Sequence, residues 1–117
     1  MSKPVITISE YNSAFEAAKA MARNGIGSLV IAHNNTPVGI ITERDLVYKV
    51  TAKGLDPKRV FIHEIMTKNV KTIDIHTSFL EVSKLMHKHT FRRLVVLDSG
   101  QIVGIITAKD LIELVSV

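Results

Sequence analysis

Apolar residues in this chain gather in short, nearly unbroken runs at 29–32, 38–41, 94–97 and 102–106, each pair preceded by a short β-type run, at 5–8 and 70–73. Val- and Ile-rich runs of this length, without polar alternation, predict strands covered on both faces. Between them the pattern changes to helical spacing: Phe15, Ala18, Met21 and Ala22 in one stretch, and Leu80, Val82, Leu85 and Met86 in another. Ser13 and Ser78 stand where each helix would open, as N-capping residues do. Asn34-Asn35 and Asp98-Ser99-Gly100 separate the later strands of each set and predict tight hairpins. A further helix is expected from Thr42 and again from Thr107. Gly54 and Pro57 end the first of these, the polar stretch 53–59 reads as an exposed connector, and 60–66 reads as a helical turn.

The order β-α-β-β-α therefore occurs twice, and the residues repeat with it. Placing 5–47 over 70–112, an offset of 65 without a gap, makes 16 of 43 pairs identical. The densest match sets Val38-Gly39-Ile40-Ile41-Thr42-Glu43-Arg44-Asp45-Leu46 against Val103-Gly104-Ile105-Ile106-Thr107-Ala108-Lys109-Asp110-Leu111. The chain is a tandem duplication. Its halves divide at 1–59, the first repeat with its connector, and 60–117, the second. Units this small are marginal alone, so the two are expected to share a core.

Composition narrows the function. The 117 residues are 46% hydrophobic and 22% charged, which is globular, and only 5% aromatic, so the core must be aliphatic. With no cysteine, disulfides, thiol catalysis and Cys-ligated zinc are excluded, and a cytoplasmic location is the default. No apolar run approaches the roughly 20 residues of a membrane span, and the N-terminal residues lack the apolar stretch of a secretory signal. A net charge of +4 suits nucleotides, RNA or an acidic partner without choosing among them. The five histidines are scattered: His87 and His89 are two apart on a helix, and His63-Glu64-Ile65-Met66 lacks the second His of a zinc helix motif, so no metal is expected. There is no P-loop, no Gly-x-Gly-x-x-Gly and no interpretable Ser/His/Asp set, so the chain is expected not to be an enzyme.

The duplicated signature Gly-Ile-Ile-Thr-x-x-Asp carries the chemistry. Thr42 with Asp45, and Thr107 with Asp110, fit capping boxes in which the hydroxyl satisfies a free backbone N–H of the first turn. The same carboxylates could instead accept hydrogen bonds from vicinal ribose hydroxyls, with the preceding apolar strand as a wall for a base. A threonine can cap while its aspartate binds, so both readings stand.

The whole chain resembles a tandem pair of cystathionine β-synthase (CBS) domains, a Bateman module. The resemblance rests on Ile65-Met66-Thr67, Val70-x-Thr72-Ile73, 78–86, Arg92-Arg93-Leu94-Val95-Val96-Leu97-Asp98 and Gly104-Ile105-Ile106-Thr107-x-x-Asp110. In the first copy it rests on 13–21, 25–31 and 39–45. It implies an α/β fold of two β-α-β-β-α repeats packed sheet to sheet with pseudo-two-fold symmetry, leaving two clefts. It also implies adenosine-containing ligands there: AMP, ADP, ATP or S-adenosylmethionine. Carried over by residue, one cleft would comprise Ile40, Thr42, Arg44 and Asp45, completed by Met66, Asn69, Val70, Lys71 and Arg93. The other would comprise Ile105, Thr107, Lys109 and Asp110, completed by Val5, Ile6, Ile26 and Gly27, with Arg92 in reach.

The clefts are chemically unequal, because Arg92-Arg93 stands where the first copy has Gly27-Ser28. A guanidinium holds phosphate through a planar charged fork, so the Asp45 cleft is expected to be the stronger phosphate site. A non-catalytic regulatory module follows, with a homodimer through the helix faces 14–22, 46–50, 79–86 and 111–115, and with its output in an unidentified effector protein. The alternative is a dimerisation, docking or nucleic-acid-binding module. Its basic cluster, His87-Lys88-His89 with Arg92-Arg93, has only Phe91 to offer for base stacking.

Overall fold

The computed structural model describes residues 5–89 and 93–107. It is a mixed α/β structure with two three-stranded sheets, falling into two compact units, Ile6–Val70 and, among the described residues, Val5 with those from Lys71 onward. The first unit runs β1 (Thr7–Ile8), α1 (Ala14–Asn24), β2 (Ser28–His33), β3 (Thr36–Thr42), α2 (Glu43–Leu46), and α3 (Ile62–Ile65). The second runs β4 (Thr72–Asp74), α4 (Phe79–His89), β5 (Arg93–Asp98) and β6 (Gln101–Thr107). The helix expected after Thr107 lies outside the described residues.

Both sheets have one parallel and one antiparallel pairing. β1 lies parallel to β2, which pairs antiparallel with β3; β4, β5 and β6 repeat the arrangement. The hairpin loops have two residues each, Asn34-Asn35 and Ser99-Gly100, all at positive φ. That backbone twist matches the strands, and Asn and Gly tolerate it best. The register slips at Ile31/Ala32 and again at Val96/Leu97, 65 residues on, so even the bulge is duplicated. Leu29, Val30 and Ile31 are all fully buried, as are Leu94, Val95 and Val96 within 1%. Consecutive strand residues point to opposite faces, so both faces of each sheet are covered.

Helix α1 starts as the sequence predicts. Ser13 Oγ accepts from the Glu16 N–H at 3.1 Å, and Glu16 Oε1 accepts from the Ser13 N–H at 3.0 Å, a complete capping box. The helix stops at Gly25, whose φ of 62° is the left-handed conformation that glycine adopts without strain. Of the four predicted positions its buried face keeps only Met21. Ala14, Ala17 and Met21 face the core, while Ala22 is exposed and Phe15 and Ala18 are only half-buried. Phe15 is held at the surface by two ammonium groups, Lys58 at 5.0 Å and Lys19 at 5.3 Å from its ring centroid. In α4 the predicted Val82 and Met86 are buried and Leu85 packs beside them, but Leu80 is exposed.

The repeat boundary at 59/60 and the compact-unit boundary at 70/71 mark different things. Val60, Ile62, Ile65 and Met66 join Leu29, Ile31, Ile41 and Val50 in the first core. Segment 60–63 is laced to 10–14 by backbone bonds: Ala14 N–H to Val60 O, Ile62 N–H to Asn12 O, and His63 N–H to Glu10 O. Beyond α3, Thr67 bridges to Ile40 on the free edge of β3, with N–H···O distances of 3.0 and 2.9 Å. Gly39 permits this approach. A Cβ there would lie 2.6 Å from Met66 Sδ and 3.0 Å from the Thr67 carbonyl oxygen.

Candidate functional site

Strand β3 delivers the chemistry to one end of the first sheet. Its last residues, Ile40 and Ile41, are buried, and Thr42 turns the chain into α2 with extended backbone, φ −125° and ψ 165°. The Asp45 N–H donates to Thr42 Oγ1 at 3.2 Å. Asp45 Oδ2 accepts from the Thr42 N–H at 2.9 Å and from the Thr42 hydroxyl at 3.1 Å. The capping box foreseen in the sequence is therefore formed. After Leu46 the helix widens to π winding over Val47–Thr51. This places Lys49 so that its Nζ lies 3.0 Å from Asp45 Oδ1 and donates to the Ile65 carbonyl at 2.8 Å.

Asp45 is the one buried charged side chain among the described residues, 8% exposed. An isolated carboxylate at that depth would be costly, and two donors from Thr42 plus one ammonium offset the cost. A carboxylate has about four acceptor positions. Oδ2 spends both of its own on Thr42, so the position still open belongs to Oδ1, beside Lys49. One acceptor position thus remains at Oδ1 while the cap stays intact.

The first unit brings Ile40, Thr42, Asp45 and Met66 into one neighbourhood, with Asn69 exposed and Val70 half-buried a few residues beyond the Ile40–Thr67 bridge. Arg44 is exposed, and its guanidinium stacks 4.3 Å from the Tyr48 ring centroid. Lys71 and Arg93 belong to the second unit, where the Val95 N–H donates to Lys71 O at 3.0 Å. There Arg93 pairs across the hairpin with Thr107, and Val95 with Ile105. The Arg93 Nε is buried without a hydrogen-bond partner among the described residues. Ile6, Ile26 and Gly27 lie in the first unit. Ile6 O accepts from the Val30 N–H, and Gly27 O accepts from the Glu43 N–H at 3.0 Å. Val5 is half-buried. Arg92, Lys109 and Asp110 lie outside the described residues.

Two residues escaped the sequence reading. The Glu43 side chain lies over Gly27, close enough that a Cβ there would clash with it. The signal was present as a pair of unlike matches, Glu43 with Ala108 and Gly27 with Arg92. Lys49 was legible as the cation four residues after Asp45, a spacing that puts both on one helix face.

Among the described residues no group of three or more His, Asp or Glu could hold a metal ion, and no helix is long and apolar enough to cross a membrane. The family model for the CBS domain matches residues 1–52 and 62–117, both repeats. The chain belongs to the CBS-domain family. An uncharacterized protein of Methanopyrus kandleri is 42% identical over 113 residues, covering 95% of this chain and 58% of that protein, so the CBS pair spans less than two thirds of that relative's length. The structure of a protein with CBS domains from Burkholderia ambifaria superposes with a TM-score of 0.79 at 35% identity, covering 95% of this chain and 82% of the other. A CBS domain protein from Pyrobaculum aerophilum, complexed with AMP, shares the fold with a TM-score of 0.77 at 23% identity, covering 100% and 95%. A CBS pair is a regulatory module, generally without catalysis of its own.

Proposed function

We propose that this CBS pair is a cytoplasmic, non-catalytic sensor that binds an adenosine-containing ligand, AMP, ADP, ATP or S-adenosylmethionine, and signals to an effector protein. The observation that carries the reading is Arg93, a permanently charged guanidinium whose Nε is buried with no acceptor among the described residues. Leaving such a donor unpaired is costly, and a phosphate oxygen would satisfy it. Within the first unit, taken by itself, Asp45 offers an acceptor for a sugar hydroxyl at Oδ1, and Ile40 an apolar wall. The AMP complex of the Pyrobaculum aerophilum protein supports the capacity of this fold for such a ligand. A homodimer would use the helix faces. The groove of about 430 Å³ lined by Ala18, Met21, Ala22, Ile26, Leu46 and Val47 supplies apolar surface there.

Calorimetric titration of AMP, ATP and S-adenosylmethionine into the wild type, Asp45→Ala, Asp110→Ala and Arg93→Met tests the proposal. Arg93→Met should weaken AMP by roughly tenfold or more, the scale of a charged hydrogen bond, while leaving adenosine nearly unchanged. Asp45→Ala should lose more affinity than Asp110→Ala. No heat and no thermal shift with any of the three ligands would refute the sensor reading, because a ligand at one hundred times its Kd stabilises by about 2.7 kcal/mol.

A further inference from the structure

Lys49 adds a polar tie between two parts of the first unit that also share its core and the Ile40–Thr67 bridge. Its ammonium sits on Asp45 Oδ1 at 3.0 Å and donates to the Ile65 carbonyl at 2.8 Å. Ile65 closes α3, and the next residues are Met66, which packs on Gly39, and Thr67, which ladders with Ile40. The same ammonium therefore touches the open oxygen of the buried carboxylate and the start of the segment that carries Met66, Asn69 and Val70. The helix is wound π at this point, over Val47–Thr51. Such widened turns are rare and occur frequently at functional sites.

We propose that Lys49 is the positioning residue of the Asp45 site. It fixes which way Oδ1 presents its remaining lone pair, and it ties that oxygen to the Ile65 carbonyl. A hydroxyl binding at Oδ1 draws on the same negative charge that holds the ammonium, so occupancy changes the grip on Ile65 and passes to 65–70. Lys49 touches no ligand atom in this scheme; it acts through Asp45 and through the Ile65 carbonyl. The inference rests on the nucleotide reading for its ligand and on the coordinates for its tether.

The test is a double-mutant cycle on the full chain: wild type, K49M, D45N and the double variant, with K49R as the conservative replacement. Amide hydrogen exchange without ligand reads the tether. K49M should speed exchange at Met66 and Thr67 by about three- to tenfold, moderated because the Lys49 side chain is 42% exposed, and K49R should restore most of the protection. Titration with AMP reads the positioning. K49M should weaken binding by a similar factor, and adding it to D45N should cost nothing further, since residues acting through one another are non-additive. Unchanged exchange in K49M, or losses in AMP affinity that simply add, would overturn the assignment. A wild type that binds no AMP defeats the nucleotide reading by itself, and the ligand-free exchange then still decides whether Lys49 holds the segment.

Discussion

Ala14 and Phe79 stand at equivalent positions 65 residues apart, yet Ala14 is fully buried and Phe79 is 48% exposed. The strands behind them diverge far less. Leu29 and Leu94, Val30 and Val95, and Gly39 and Gly104 keep the same partners, and the bulge falls at the same place. A one-residue slip in a ladder turns every side chain to the wrong face, so sheet register tolerates little change. A helix lying on the sheet is held by packing alone and can exchange a small residue for a large one by sitting further out. The first unit uses small residues, Ala14 and Ala17, for close approach, and adds Val60, Ile62, Ile65 and Met66 from the connecting segment. The core of the second, among the described residues, is Ile73, Val82, Met86, Leu94 and Val96 with Leu85 and Ile106 packed beside it. The duplication thus preserved the sheets and let their cover diverge.

Truncating the central leucines probes that contrast hardest. Leu29→Ala and Leu94→Ala should each cost about 2–5 kcal/mol in urea unfolding, with the larger loss at Leu29, where the connecting segment leaves less room for collapse. Equal losses would remove the energetic distinction between the two cores. Capping comes next. Ser13→Ala should cost about 1 kcal/mol or somewhat more, because it breaks a reciprocal box, whereas Ser78 shows a single bond from the Glu81 N–H at 3.2 Å and its Ala variant should lose less. A reversed order would mean that the box adds nothing beyond the hydroxyl.

The smallest effect is set by pH. Hydrogen bonds from the Ser13 backbone, from Asn12 and from the Ser13 hydroxyl, in that order, hold the Glu16 carboxyl below its ordinary value of 4.5. A carboxyl that is more acidic in the folded chain contributes stability above its unfolded pKa and loses it as pH falls through the folded one. The melting temperature of the wild type should therefore exceed that of Glu16→Gln at neutral pH, and the gap should close as pH drops below 4.5. A gap that persists into strong acid would show that the ionised carboxylate is not what stabilises the helix start.

Much of this architecture is legible in the residues. Offset identity finds the repeat, Asn34-Asn35 and Asp98-Ser99-Gly100 find the turns, and Ser13 and Thr42 find the capped starts of α1 and α2. The misreadings on α1 have two causes. Alanine carries little hydrophobic contrast, so spacing alone puts Ala18 and Ala22 on the core face as readily as Ala14 and Ala17. Phe15 reads as core until the ammoniums of Lys58 and Lys19 give its ring a surface environment. At the site, Thr42 and Asp45 are legible because a motif repeats them. The grip of Lys49 on the Ile65 carbonyl depends on a π-wound turn and a contact 16 residues away, which no local pattern encodes.

The bridge between Thr67 and Ile40 has a consequence for how the chain is kept from sticking to itself. β3 would otherwise end its sheet as a bare row of donors and acceptors, a template on which strands of other molecules can add. The stretch after α3 occupies the Ile40 N–H and C=O and lays the Met66 side chain against Gly39, the position with no side chain of its own to fend off a neighbour. Replacing Thr67 by proline would keep every strand of the first sheet and remove the N–H that pairs with the Ile40 carbonyl, and it should raise aggregation above that of the wild type.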